Sequence, residues 1–207
     1  MRAPVILLLR HAPAPGNLEG RYLGSTDEDL SPEGEALARR CAGGLGEVPR
    51  LVWASPMKRC LSTARLLCPG AEILPLPGLR ESDFGAFEGK NYEELRDDPA
   101  YRAWVESGGR TPPPGGEGSA AGAARAAAAF REIVRELLAS GEGRCAVVTH
   151  GGVIMALCAA FALPERDFYA WQSPCCGGWL LALEPGLWEK EGKLRVLGPV
   201  RPKEERK

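Results

Sequence analysis

Two histidines are all the chain has, and both stand where an apolar run stops. VILLL (5–9) ends in Arg10-His11, and the run CAVVTH (145–150) ends in His150 and continues into Gly151-Gly152. A third run, RLVWAS (50–55), is followed by Pro56, with Arg59 one helical turn further on. Arginine presents a planar fork of donors that matches phosphate oxygens. Glycines let backbone N–H groups come close to a ligand, and a helix start adds the positive end of its dipole. A pocket gathering Arg10, Arg59, His11, His150 and two helix starts therefore suits a tetrahedral dianion. Positive neighbours also lower a histidine's pKa and keep a ring nitrogen free of its proton near neutrality. An imidazole in that state, lined up with phosphorus, is a nucleophile. A leaving alkoxide then needs a proton, and LRESDFGAFEG (79–89) offers Glu81, Asp83 and Glu88. A carboxyl group of raised pKa can do this, but spacing does not choose among the three.

The elements that must position these groups follow from the hydrophobic pattern. Runs 5–9, 50–55 and 145–150 are continuous and rich in branched residues, as strands buried on both faces are. GWLLALE (178–184) and KLRVLGPV (193–200) read as further strands forming a late hairpin. Ser31-Pro32 and Ser55-Pro56 read as N-cap and first helical residue of two helices. GGVIMALCAAFAL (151–163) reads as a buried helix that halts at Pro164, and the alanines of 113–130 as a helix after a Pro/Gly linker. Strands alternating with helices give an α/β fold. The expected form is a three-layer sandwich, with a largely parallel central sheet flanked by helices and the site at the carboxyl ends of the strands. Residues 1–200 are expected to be one domain, 82–115 a lid-like insertion within it, and 201–207 a flexible tail.

LLLRHA, SPMKRCLSTA, LRESDFGAFEG and VVTHGG, in this order and spacing from residue 5 to about 183, together resemble the histidine phosphatase superfamily, the phosphoglycerate mutase-like proteins. The resemblance implies a phosphomonoester hydrolase acting through a phosphohistidine at His11, with Glu81 as proton donor. It implies that Arg10, Asn17, Arg59 and His150 bind the phosphoryl group, and that neither metal nor cofactor is needed. Ala12 stands where the family usually has glycine, and Pro13-Ala14 where it often has an acid and a threonine. These departures bear on loop shape and substrate preference rather than on the reaction. Segments 17–24, 113–130 and 147–172 are similar to the alpha-ribazole phosphatases. A broad-specificity or sugar-phosphate phosphatase is the alternative, followed by a phosphoglycerate mutase and a non-catalytic phosphate-binding relative.

Bulk properties narrow the partners. A net charge of −1 argues against a dedicated nucleic-acid binder. No apolar stretch reaches the length of a bilayer span. A small-molecule phosphomonoester is the expected partner, a homodimer the protein assembly considered, and the cytoplasm the expected location. The seven cysteines contain no CxxC pair and read as reduced thiols. The adjacent Cys175 and Cys176 are the one place where a metal or redox role is worth testing. Tyr22, Phe84, Phe87, Tyr92, Tyr101 and Trp104 are candidate pocket walls, where an aromatic leaving group can stack.

Overall fold

The computed structural model describes residues 3–202; most of the expected tail, residues 203–207, lies outside the described residues. Strands β1 (Val5–Arg10), β2 (Leu51–Ala54), β3 (Glu72–Pro75), β4 (Arg144–Thr149), β5 (Ala162–Leu163), β6 (Gly178–Ala182) and β7 (Leu194–Val200) form one sheet in the order β3-β2-β4-β1-β6-β7-β5. The pairs β3-β2, β2-β4, β4-β1 and β7-β5 are parallel, while β6 runs antiparallel to both β1 and β7. A single-turn helix, α1 (Pro15–Leu18), follows β1 closely.

The unbroken VILLL run has a simple cause. Ile6 and Leu8 pack on one face with α6 (Ser119–Ser140) and α7 (Gly151–Phe161), while Leu7 and Leu9 pack on the other with α2 (Pro32–Ala42) and α3 (Lys58–Leu67). Both faces of the strand are core, so alternation with polar residues has no place. The architecture is the three-layer α/β sandwich expected.

Several local readings hold. Ser31 Oγ accepts from Gly34 N–H at 3.0 Å with Pro32 as first helical residue, so Ser31 caps α2. Others are corrected. The second Ser-Pro does not cap a helix, because α3 starts at Lys58 after Met57 and Ser55 Oγ turns toward His150 instead. Helix α7 stops at Phe161, since Ala162–Leu163 pair in parallel with β7. β6 and β7 are neighbours but not a tight hairpin, because α8 (Pro185–Glu191) lies between them. Strand β3 has no counterpart among the expected strands. It is a short edge strand ending in proline, which an edge tolerates. Between β3 and α6 run two single-turn 3-10 segments and two short helices, α4 (Tyr92–Leu95) and α5 (Pro99–Glu106).

Candidate active site

Register brings the two histidines together. β1 and β4 pair with Arg10 opposite Thr149, and His11 N–H donates to the Thr149 carbonyl at 2.9 Å. The residues that follow therefore emerge side by side, with ring centroids of His11 and His150 5.1 Å apart. β2 ends one place away: Ser55 N–H donates to the Val148 carbonyl, and Ser55 Oγ lies 2.8 Å from His150 Nε2.

His11 is buried, 3% exposed. Its Nδ1 lies 2.7 Å from the Ala12 carbonyl, which can only accept, so Nδ1 carries the proton and Nε2 keeps its lone pair. Burial, and then the Arg59 charge, lower its pKa to about 3. Burial, followed by the repulsion between protons on His150 and His11 and by the Arg59 charge, likewise holds His150 well below the usual histidine range.

The arginines are pinned by backbone. Arg59 is fully buried and donates to the carbonyls of Thr26, Leu23 and Gly24 at 2.7–3.2 Å. Arg10 Nη1 donates to the Ser173 carbonyl at 2.9 Å. The Nε groups of both are buried without a hydrogen-bond partner among the described residues. An orphaned buried donor costs about 1–3 kcal/mol, a cost that an oxyanion bound there would remove. Asn17 Oδ1 accepts from Ala14 N–H at 3.0 Å, which leaves its NH₂ as the group able to donate. The unusual Ala12-Pro13-Ala14 stretch is buried: Ala12 N–H donates to Thr63 Oγ1, and the Pro13 carbonyl accepts from Ser31 N–H.

Geometry separates the three acids. Glu81 Oε2 accepts from Gly152 N–H at 3.0 Å, at the start of α7 beside His150. Burial raises its pKa against those amide bonds and the nearby arginines. A Cβ on Gly152 would stand 2.6 Å from Glu81 Oε1, so the carboxyl can hold this position only against a glycine. Asp83 caps the turn at Gly85. Glu88 accepts from the backbone of Gly24, Ser25, Thr26 and Phe84 and from Thr26 Oγ1. Burial raises the Glu88 pKa, but these bonds outweigh it and hold the carboxyl below the usual range. Glu88 thus braces the loop whose carbonyls grip Arg59.

A cavity of about 610 Å³ opens beside Glu81, walled by Tyr22, Phe84, Trp104, Phe168 and Tyr169. Three of the six aromatics expected as walls are therefore in place. Phe87 and Tyr101 pack behind them in a small core, and Tyr92 is exposed on the outside. Phe168 and Tyr169 carry no sequence signal for this role because they lie far along the chain, in the turn after β5. Ser55 and Thr63 are also additions to the site, although Thr63 lies four residues after Arg59 on the same helix face. All seven cysteines are free thiols, and among the described residues no three His, Cys, Asp or Glu side chains gather as metal ligands would. Cys60 Sγ lies 3.5 Å from His150 Nε2, but burial pushes its pKa up and keeps it a thiol. Among the described residues, no helix is long and apolar enough to cross a membrane.

A family model for the histidine phosphatase superfamily (branch 1) matches residues 6–192. The chain belongs to the histidine phosphatase superfamily. This superfamily member is 34% identical over 162 residues to the metal-independent phosphoserine phosphatase of Arabidopsis thaliana, covering 73% of this chain and 66% of that protein. It is 36% identical over 125 residues to the 2,3-bisphosphoglycerate-dependent phosphoglycerate mutase of Thermobifida fusca, covering 55% and 51%. The matches thus span just under two thirds of the first relative's length and about half of the second's. Among solved structures, it superposes on a putative alpha-ribazole-5'-P phosphatase of Escherichia coli with a TM-score of 0.79 over 97% of each chain. At 22% identity that likeness speaks for the fold. A Thermus thermophilus protein of known structure, TTHB049, is 33% identical with a TM-score of 0.66, over 95% of this chain and 99% of that one.

Proposed function

We propose that the protein is a phosphomonoester hydrolase that works through a phosphohistidine at His11 and needs no metal. The observation that carries this reading is the His11 ring, buried and neutral, with Nδ1–H tied to Ala12 and its proton disfavoured by the charges of Arg59 and Arg10, whose Nε donors have no partner among the described residues. In the first step Nε2 attacks phosphorus, the N–P bond forms and the P–O bond to the leaving alcohol breaks. The Glu81 carboxyl gives its proton to the departing oxygen. In the second step the Glu81 carboxylate takes a proton from water as the water oxygen attacks phosphorus, and the P–N bond breaks to release phosphate. Arg10, Asn17, Arg59 and His150 hold the phosphoryl oxygens through both steps, where fixed donors stabilise developing charge.

For the substrate, the aromatic walls of the cavity favour a leaving group that carries a flat ring system. Alpha-ribazole 5'-phosphate, a base on a ribose, has that form. A broad-specificity phosphatase is the second reading, favoured by sequence relatives named for phosphoserine and for phosphoglycerate at similar identity.

The test is turnover of alpha-ribazole phosphate, nucleotides, sugar phosphates and phosphoserine, ranked by kcat/KM, with and without chelator. The expected result is hydrolysis that survives chelation, is inhibited by vanadate, and leaves a phosphate on His11 in acid-free mass spectrometry. His11→Ala should fold and lose turnover by on the order of 10³-fold or more. Full activity in that variant would refute the reading.

A further inference from the structure

The alanine-rich segment reads as plain helix in the sequence, and α6 is a helix from Ser119 onward. One residue in it does more. Arg125 Nη1 donates to the carbonyls of Gly78 at 2.9 Å and Arg80 at 2.8 Å, and Nη2 reaches the Glu81 carbonyl at 3.4 Å. Nε and Nη2 also donate to the Glu117 carboxylate at 3.0 and 2.5 Å. The two side chains are only 24% and 23% exposed.

The contact is built into the helix face. A Cβ on Gly78 would stand 2.5 Å from Ala129 Cβ, and a Cβ on Gly122 would stand 2.6 Å from Ser82 Oγ. Small residues therefore let segment 78–82 lie against α6, within reach of the guanidinium. That segment needs an external hold. Glu81 and its next neighbours lie in neither helix nor strand, so no ladder fixes their carbonyls. A guanidinium can serve several carbonyls and a carboxylate at once, because its five donors sit in one rigid fork. A lysine supplies its donors from a single point. Glu117 fixes the fork from behind, and Glu117 N–H donates to the Asp83 carbonyl at 2.8 Å, beyond the acid.

We propose that Arg125 is a positioning residue: by clamping the backbone carbonyls of residues 78, 80 and 81, it holds the Glu81 carboxyl against the start of α7, where it can protonate the leaving group. The inference rests on the reading of Glu81 as the acid. It makes a demand that a merely structural role would not. p-Nitrophenolate leaves without a proton, whereas an alkoxide does not. Loss of positioning must therefore weigh on alkyl esters alone.

The experiment compares kcat/KM, which reports the first chemical step, for p-nitrophenyl phosphate and for the best alkyl phosphate of the wild-type protein. Arg125→Ala should cut the alkyl value by about 10- to 100-fold and the p-nitrophenyl value by less than about threefold, the pattern expected when general-acid catalysis is impaired. Arg125→Lys should recover part of the alkyl rate. In the cycle with Glu81→Gln, the double variant should be no slower than Glu81→Gln alone. Equal losses on both esters, or losses that multiply with Glu81→Gln, would overturn the proposal. If Arg125→Ala does not fold, the same comparison is read on Arg125→Lys and Glu117→Gln, whose losses must again fall on the alkyl ester only. A wild-type protein that hydrolyses neither ester and forms no phosphohistidine overturns the parent reading, and this one with it.

Discussion

His11 and Glu81 share one burial and are pushed by it toward the same charge state, zero. For the histidine that means loss of the proton, and for the carboxyl its retention. In the proposed mechanism the nucleophile is thus free and the acid loaded over a common pH range, the pattern by which paired groups divide acid and base roles. The sign of each pH effect follows. With an alkyl ester, kcat/KM should fall as pH rises through the raised pKa of Glu81, and Glu81→Gln should abolish that limb. His11 should add no acid limb above about 3. Any limb near 6 belongs to the second ionisation of the substrate phosphate, whose pKa is about 6. Stability runs by the same linkage. Between about 3 and 6.5 the unfolded chain binds the proton that folded His11 refuses, so stability should drop as pH falls through that window. For Glu81 the folded state holds the proton more tightly, so stability drops as pH rises from the ordinary carboxylate range through its raised pKa and levels off above it. Melting temperatures of wild type and Glu81→Gln from pH 4 to 9 check this. A Glu81→Gln protein clearly less stable than wild type at pH 8 would show that the carboxylate is not strained there.

The strands were the part of the fold most legible in the sequence. VILLLRH, CAVVTH and RLVWAS each show where a strand ends and what it presents, because burial on both faces leaves an unbroken apolar signal. That signal also brought Arg10, His11, Arg59 and His150 into one place, since parallel strands in register end at one level. Less was legible where structure depends on contacts remote in sequence. Ser55-Pro56 has the same local chemistry as Ser31-Pro32, yet only Ser31 caps a helix, because His150 Nε2 lies beside Ser55 Oγ. Asp83 and Glu88 could not be told from Glu81 by spacing. What distinguishes them is which backbone amides they meet after folding. The steric demand that bears directly on Glu81 lies at the start of α7. Gly152→Ala keeps helix propensity but puts a methyl 2.6 Å from Glu81 Oε1. The carboxyl must move, and alkyl-ester kcat/KM should fall by about 10-fold or more while p-nitrophenyl phosphate turnover and the melting temperature stay near wild type. Unchanged kinetics on both esters would mean that Glu81 tolerates the displacement.

At the scale of the whole molecule, the sheet and its two helix layers position the residues proposed for the phosphoryl chemistry, while loops and short helices build the aromatic wall of the cavity beside Glu81. Tyr22, Phe84 and Trp104 come from the loops and short helices that precede α6, and Phe168 and Tyr169 from the turn after β5. Trp104 is central on its side: its ring meets Tyr22, Phe84, Phe87 and Tyr101 at centroid distances of 5.6 to 6.2 Å. None of these aromatics contributes a hydrogen bond to Arg10, Arg59 or His11 among the described residues. Selectivity and chemistry should therefore separate under mutation. An aromatic stacking contact is worth about 0.5–1.5 kcal/mol beyond its buried area, and with the lost area Trp104→Ala should lower kcat/KM for a base-bearing ester by about 10-fold. Glycerol phosphate turnover and vanadate inhibition should stay within about twofold, since the phosphoryl donors are untouched. The contrast is Phe87→Ala. That ring is fully buried behind the wall, so its removal should cost about 3–5 kcal/mol of stability with no change in the ratio between the two substrates. If Trp104→Ala slowed glycerol phosphate as much as the base-bearing ester, the aromatic wall would be support for the fold and not the surface that chooses the leaving group.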